Sequence, residues 1–423
     1  MKFPTISPRV YFRPAGPRPL ELLGLAAFGF SLLLALEHLH LPSQSPRAEA
    51  AYAAAEHAAR AFEVIRAERA ARGISLLPEF DPAKSGLIFG KDTSISTSSG
   101  SLPAKQTSVN PNFAALIVQF FSELELEAGQ QLAVGYTGSF PALNIALLAA
   151  SAELKLQLII ISSAASSDFG ASDERFTWLD MEGTLKERGI FPYRSQAASI
   201  GGLEDRGVGL SSVAKRTLDA AIERSGAVRL SAESYEGSLS ERIALFEKAS
   251  EGRPYAAYVN IGGGAVSLGR SRTQSTIGPG VHEPISSLAR TEAADDSIVG
   301  YFLSRGVPVL HLGQVVDLAR HYGLSVSPRA TPEPGSGGLF RPGPPSLGLT
   351  LAALFAFIAA LSWIGARARR RAPLGTLPSD VLLEAAPSRH ARPVSLGPES
   401  PAAKPHPEEA TLPSLLPGRD SSD

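Results

Sequence analysis

Apolar runs of strand length alternate with segments of helical spacing through the middle of the chain. Asn110-Pro111, a capping residue followed by Pro at the first turn, predicts a helix running to about residue 127. Residues 132–136 then read as a short buried strand and 140–152 as a helix. The run 156–162 (Leu-Gln-Leu-Ile-Ile-Ile-Ser) is the strongest strand signal. Helices follow near 176–188, where Gly189 ends the pattern, and at 211–224. The capping box Ser238-Leu-Ser-Glu241 predicts a helix to residue 250. Residues 255–261 read as a strand, 297–305 as a helix, 307–312 as a strand, and 313–322 as a helix stopped by Gly323. Strands alternating with helices indicate parallel βαβ units, hence an α/β fold with a doubly wound, mostly parallel sheet.

Two longer apolar runs flank this region. Residues 22–36 are uncharged, extended by Leu20, Leu39 and Leu41, and residues 347–366 form a second uncharged run. The second has the length needed to cross a hydrocarbon core of roughly 30 Å. Lys2, Arg9, Arg13 and Arg18 precede the first run, and Arg367, Arg369, Arg370 and Arg371 follow the second. The positive-inside rule then places both ends in the cytoplasm and the middle across the membrane. The first run also has the form of a signal peptide, with Ala48-Glu49-Ala50 as a cleavage site, but that site lies well beyond the run, and a retained anchor is preferred.

The resulting organisation is a cytoplasmic N-terminus at 1–18, a transmembrane helix at 19–41 and an Ala-rich membrane-proximal helix within 42–74. An exported α/β domain spans 75–330, either as one unit or as two lobes dividing near 200. Residues 92–110 within it read as a polar Ser/Thr loop. A Pro/Gly linker at 331–346 leads to the second transmembrane helix at 347–366. The tail at 367–423 is rich in proline beyond residue 371 and reads as disordered and cytoplasmic. The chain is thus expected to be a two-pass protein of the inner cell membrane.

Composition removes whole classes of function. Lys and Arg total 40 against 41 Asp and Glu, a net charge of −1 that excludes a generally basic nucleic-acid binder. The chain has no cysteine, which removes disulfides, thiolate catalysis, Cys-ligated zinc and iron–sulfur clusters. No His/Asp/Glu cluster has metal-ligand spacing, so neither metal nor cofactor is expected. The near-fingerprint Gly262-x-Gly264-x-x-Ser267 has Ser at its third glycine position. The near-P-loop at Gly86–Asp92 is one spacer short, with Asp where Ser or Thr must hold magnesium. Both nucleotide readings are therefore rejected.

In an open α/β sheet, ligands bind beyond the carboxyl ends of the strands, and here those loops are rich in Gly and Ser. Gly138 permits a tight turn after the first strand, and Ser139 reads as a helix cap facing an anion, or as a nucleophile. Ser162 and Ser163 end the next strand; Gly201 and Gly202 form a second glycine cluster; Asn260, Gly262, Gly263 and Gly264 lie at the end of the 255–261 run. Those ten residues are the candidate ligand-binding set. The chain order Ser139, Asp168 or Asp180, His311 matches that of hydrolase triads, although order alone does not establish one. The ordinary readings are a helix cap, a solvated turn and a hydrogen-bonded strand histidine.

Several phrases, taken in order, resemble the poly-gamma-glutamate system protein family. They are Thr107-Ser-Val-Asn-Pro-Asn-Phe-Ala-Ala-Leu-Ile-Val118, Ala133-Val-Gly-Tyr-Thr-Gly-Ser-Phe-Pro-Ala-Leu143, Phe176-Thr-Trp-Leu-Asp-Met-Glu182, Gly189-Ile-Phe-Pro-Tyr193 and Tyr258-Val-Asn-Ile-Gly262. The resemblance runs from about residue 79 to 324 and implies a process: membrane-anchored proteins associated with making and exporting poly-gamma-glutamate, a capsular or secreted polymer. It carries no catalytic residues. It implies the synthesis and export membrane proteins as partners, and the polymer itself as a ligand. Three roles compete: a non-enzymatic accessory component, an exported hydrolase or transferase of gamma-glutamyl chains using Ser139 or a nearby carboxylate, and a membrane scaffold. Between Arg47 and Arg329 there are 27 Lys and Arg against 31 Asp and Glu, so a polyanion would be repelled on average. Contact with polymer must then be local, in a cleft. The scarcity of catalytic signatures favours the accessory role.

Overall fold

The computed structural model describes residues 16–38, 46–270, 277–284, 296–340 and 347–371. The expected tail beyond residue 371 and most of the N-terminal basic segment lie outside the described residues. The chain divides into two compact units. One holds the two long apolar helices, and the other is residues 36–346.

The elements of the larger unit run α2 (Pro46–Ala71), α3 (Leu102–Ser108), α4 (Phe113–Glu123), β1 (Gln131–Thr137), α5 (Pro141–Glu153), β2 (Gln157–Ser163) and α6 (Trp178–Glu187). They continue with β3 (Ala197–Ser199), α7 (Ser212–Ser225), β4 (Val228–Arg229), α8 (Tyr235–Ala249), β5 (Tyr255–Ile261) and α9 (Ala265–Leu268). The last are β6 (Gly280–His282), α10 (Ile298–Ser304), β7 (Val309–Leu312) and α11 (Val315–His321). The apolar helices of the other unit are α1 (Pro19–His38) and α12 (Leu347–Arg370).

Among the described residues, seven strands form one sheet in the order β4-β3-β2-β1-β5-β7-β6. Every pairing is parallel except β6 on β7. The α/β doubly wound architecture is therefore present, and both halves of the domain share its sheet. Along β1 the side chains divide by parity. Leu132, Val134 and Tyr136 enter the larger core with α2, α4, α5, α6 and α11, while Ala133 faces the aromatic cluster of α8 and α10. Right-handed crossovers account for the division, because strands added leftward from β1 put their helices on one face, and the return to β5 uses the other.

The chain turns back between β1 and β5, so the sheet's topological switch point lies there. The loop after β1 cannot be followed by a neighbour on both sides in the same direction, and a crevice results.

The Ala-rich helix α2 is a layer of the domain, packed across α4 and α5. Ala54, Ala58, Ala61, Phe62, Ile65 and Arg69 fall on one helical face and are all buried. His57 ties that face down, Nδ1 to Glu153 and Nε2 to the Ile190 carbonyl, each at 2.9 Å. Arg69 donates to the carbonyls of Gly86 and Ile88 and stacks over Phe89. The near-P-loop segment thus presents carbonyl oxygens to a cation, the opposite of a phosphate cradle.

Several local expectations shift. The Ser/Thr loop contains α3, capped by Ser101 with Pro103 in its first turn. Helix α8 starts at Tyr235, because Ser234 caps it by accepting from Gly237 N at 3.0 Å. Asn110 forms a turn ahead of α4, and Asn112 reaches the Pro/Gly segment instead, binding Glu333 O and Gly335 N at 2.9 Å. The first part of that linker is accordingly fastened to the domain.

The other unit is a helical pair, and both helices are long and apolar enough to cross a membrane. Glu21 pairs with Arg371 and Arg367, and a side chain at Gly29 would meet the Phe357 ring at 2.9 Å. The start of α1 therefore lies beside the end of α12, and the two helices run antiparallel.

Helix α2 gives a direct test of its place in the core. Ala58→Leu should overpack the α2 layer and cost about 1–3 kcal/mol of domain stability in denaturant unfolding, where an exposed stalk helix would show no loss.

Candidate functional site

A cleft of about 610 Å³ opens at the switch point. Its walls come from loops at 97–101, 137–140, 163–167, 202–205 and 263–267, with Lys105 from α3 and Arg242 from α8. Among the described residues, nine serine and threonine side chains line it: Thr97, Ser98, Ser99, Ser101, Thr137, Ser139, Ser163, Ser167 and Ser267. Such a lining is built to hydrogen-bond a polar ligand.

The β1–α5 loop is locked at close quarters. Gly138 N donates to Ser163 O, and Gly138 O accepts from Ala171 N at 2.8 Å. A Cβ on Gly138 would stand 3.2 and 3.3 Å from the Ala165 and Ala164 carbonyl oxygens, so crowding, not a left-handed backbone, favours glycine here. Ser139 is not the cap of α5. Phe140 holds the N-cap position without a side-chain bond, and Pro141 sets the first turn. The freed Ser139 Oγ accepts from Ser167 N at 3.0 Å.

Arg242 reaches the cleft floor from α8. Its guanidinium binds both oxygens of Asp205, at 2.9 and 3.0 Å, and donates to Ser163 Oγ and Ser199 Oγ. Ser199 and Ser163 also donate to Asp205 Oδ1. Both charged side chains are almost wholly buried, and each is answered by the other.

Lys105 differs. Its Nζ donates to the Ser139 carbonyl and to Ser167 Oγ at 2.9 Å, and it lies 3.9 Å from the Phe140 ring centroid. Neither hydrogen-bond partner is a carboxylate. Burial pushes its ammonium down to about 7, against a weaker upward pull from Asp168.

The sequence candidates sort as follows. Ser139, Ser163, Gly202, Gly263 and Gly264 line the cleft. Gly138, Gly201 and Gly262 stand behind it as close-packing positions, Gly262 at φ +110° against Thr137. Ser162 points to the other side of the strand, sharing a hydrogen bond with Ser195 in a buried group where Glu182 accepts from Tyr136 and Ser195. Burial raises the Glu182 carboxyl above its ordinary range. Asp168 accepts from Asp92 N at 3.0 Å and anchors the 92–100 loop, in which Gly100 lies against the Asp168 carbonyl. Asp180 closes the α6 capping box with Thr177 and pairs with Arg224 on α7. His311 accepts at Nδ1 from Asn260, whose amide also donates to Gly262 O. Ser139, the two aspartates and His311 share no hydrogen bond, so the triad is not assembled. A single turn, α9, follows the glycine run.

Sequence reasoning missed Lys105, Arg242, Asp205 and the 97–101 wall. The Ser101-Leu-Pro103 start signal was the one trace of α3 and thus of Lys105. Nothing local joins Asp205 to Arg242. Among the described residues no group of His, Asp and Glu is placed to hold a metal ion. Set against protein-family models, curated proteins and solved structures, the chain matches none.

Two outcomes follow from these buried charges. Asp205→Asn leaves Arg242 without its counter-charge and should cost about 3–5 kcal/mol, measured by urea unfolding. His311 is held down to about 4, first by burial and then by the nearby His282. The unfolded chain therefore binds more protons between about pH 4 and 6.5, and stability rises with pH across that window. Acidification through it should remove up to about 3 kcal/mol, and His311→Gln should flatten that part of the stability profile.

Proposed function

We propose that this chain is a membrane-anchored accessory protein of poly-gamma-glutamate biosynthesis and export. In this reading the α1–α12 hairpin spans the inner membrane, both basic flanks face the cytoplasm, and the α/β domain lies outside. The domain binds a gamma-glutamyl segment of the polymer in the switch-point cleft, next to the synthesis and export membrane proteins.

One observation carries the binding role: a hydroxyl-lined cleft at the switch point holds a lysine whose amine is bonded to no carboxylate. Hydroxyls suit the repeated amides of a gamma-glutamyl chain, and the lysine suits one side-chain carboxylate. The sequence resemblance supplies the polymer, and the antiparallel pairing of Glu21 with Arg371 agrees with termini on one side.

A titration of full-length protein in nanodiscs with defined oligo-gamma-glutamate tests the ligand. Lys105→Met should weaken binding roughly tenfold, about 1.4 kcal/mol, and raised salt should weaken the wild type further. Wild-type protein that ignores the oligomer, or a Lys105→Met variant that binds it equally well, would refute the reading. Reporter fusions after residues 200 and 400 should fall on opposite sides of the membrane.

A further inference from the structure

Binding alone leaves one arrangement in the cleft without a purpose. Ser167 lines the cleft half-buried, and its Oγ receives a hydrogen bond from the buried Lys105 Nζ at 2.9 Å. Ser139 holds both partners: its carbonyl accepts from Lys105, and its Oγ accepts the backbone N–H of Ser167. The backbone of Ser167 is gripped from its other side by Ser166 Oγ at 2.6 Å, and Asp168 N is bonded to Ser98 O. A hydroxyl and an amine are thus fixed within proton-transfer reach, at the wall of a cavity large enough for a peptide-like segment.

We infer that Ser167 and Lys105 are a nucleophile–base pair that cleaves or transfers acyl groups of amides and esters bound in this cleft. Lys105 as the free amine takes the Ser167 hydroxyl proton while Oγ bonds to the substrate's carbonyl carbon. The carbon–nitrogen bond breaks as the new ammonium returns that proton to the leaving amine. Water attacks the acyl-serine, giving its proton to Lys105; the carbon–Oγ bond breaks, and Ser167 regains its hydrogen. The sum is one water consumed, one carboxylic acid and one amine released. An acceptor amine in place of water gives transfer.

Burial supports the free-amine form near neutral pH. Of the other charges around the cleft, Asp205 and Arg242 satisfy each other, and the Asp168 carboxylate, bonded to Asp92 N, pulls towards the ammonium more weakly than burial pushes against it. Ser139 is here a positioning residue. The assignment departs from the Ser139 nucleophile of the sequence reading and does not depend on the polymer, although a gamma-glutamyl amide is the substrate that the proposed function would supply.

A fluorophosphonate probe and p-nitrophenyl acetate, applied to the full-length protein in detergent, test the pair. Peptide mapping should find one adduct, on Ser167, forming at a rate that climbs through about pH 7 and then levels. Lys105→Arg keeps a cation but removes the base, and should slow labelling at least a hundredfold. Ser139→Ala should slow it about tenfold with the adduct still on Ser167. Ser167→Ala removes only a half-buried hydroxyl; it should keep the wild-type melting temperature and form no adduct. A wild-type protein unlabelled between pH 6 and 10, or an undiminished adduct in Ser167→Ala, overturns the inference. Oligo-gamma-glutamate binding to Ser167→Ala separates the two readings. Retained binding with no wild-type adduct refutes the pair alone; an adduct without polymer binding refutes the polymer alone.

Discussion

A guanidinium sealed away from water must be answered on every side, and the carboxyl edge of this sheet is organised around one. Arg242 rises from α8 on the second face of the sheet, yet its partners come from the ends of β2 and β3 and from the turn at 201–209. Desolvating such a cation costs several kcal/mol unless a counter-charge and the remaining acceptors are in place. Asp205 supplies the charge from a left-handed backbone position, φ 61°, within a turn where Gly201, Gly202, Gly207 and Gly209 also have positive φ. One ion pair therefore fixes two strand ends, a strained turn and one wall of the cleft together. A loop of small residues by itself has no reason to hold that shape.

Small side chains do the complementary work. Gly100 lets one wall approach the Asp168 carbonyl, Gly138 lets another approach the carbonyls at 164 and 165, and buried alanines let α2 lie against α4 and α5. Close backbone approach leaves many polar groups inside, and serine and threonine hydroxyls satisfy them at little volume. The same residues then line the cavity. Packing and the cavity lining draw on one set of side chains, and for this reason a Ser-rich stretch looks featureless when read as sequence.

How much was legible depended on where the determining interaction lies along the chain. The β5 strand and the α5 and α7 helices were readable because apolar runs, Pro141 and Ser211 act within a few residues. The short β3, β4 and β6 strands were not, since two or three residues carry no period and form only by lying beside a neighbour already in place. The Ser238 box pointed to too late a start for α8, because Ser234 holds the cap by accepting from Gly237 N. At the site, the glycine and serine clusters marked the right loops. The charges that define the cleft came from a short helix and from a pair 37 residues apart, joined only by folding.

Lys105 is the point at which the proposed binding and the proposed chemistry meet. As an ammonium it offers charge to a carboxylate; as an amine it offers a lone pair to the Ser167 proton. Full exposure would keep it charged, and an aspartate within hydrogen-bond distance would do the same. Burial on backbone and hydroxyl oxygen pushes it down to about 7, so near neutrality both forms are populated. A carboxylate-bearing chain entering the cleft favours the charged form and so disfavours the base; an uncharged amide placed over Ser167 leaves the base free. For the proposed gamma-glutamyl ligand, the part of the chain lying against Lys105 would then decide between the proposed binding and the proposed cleavage.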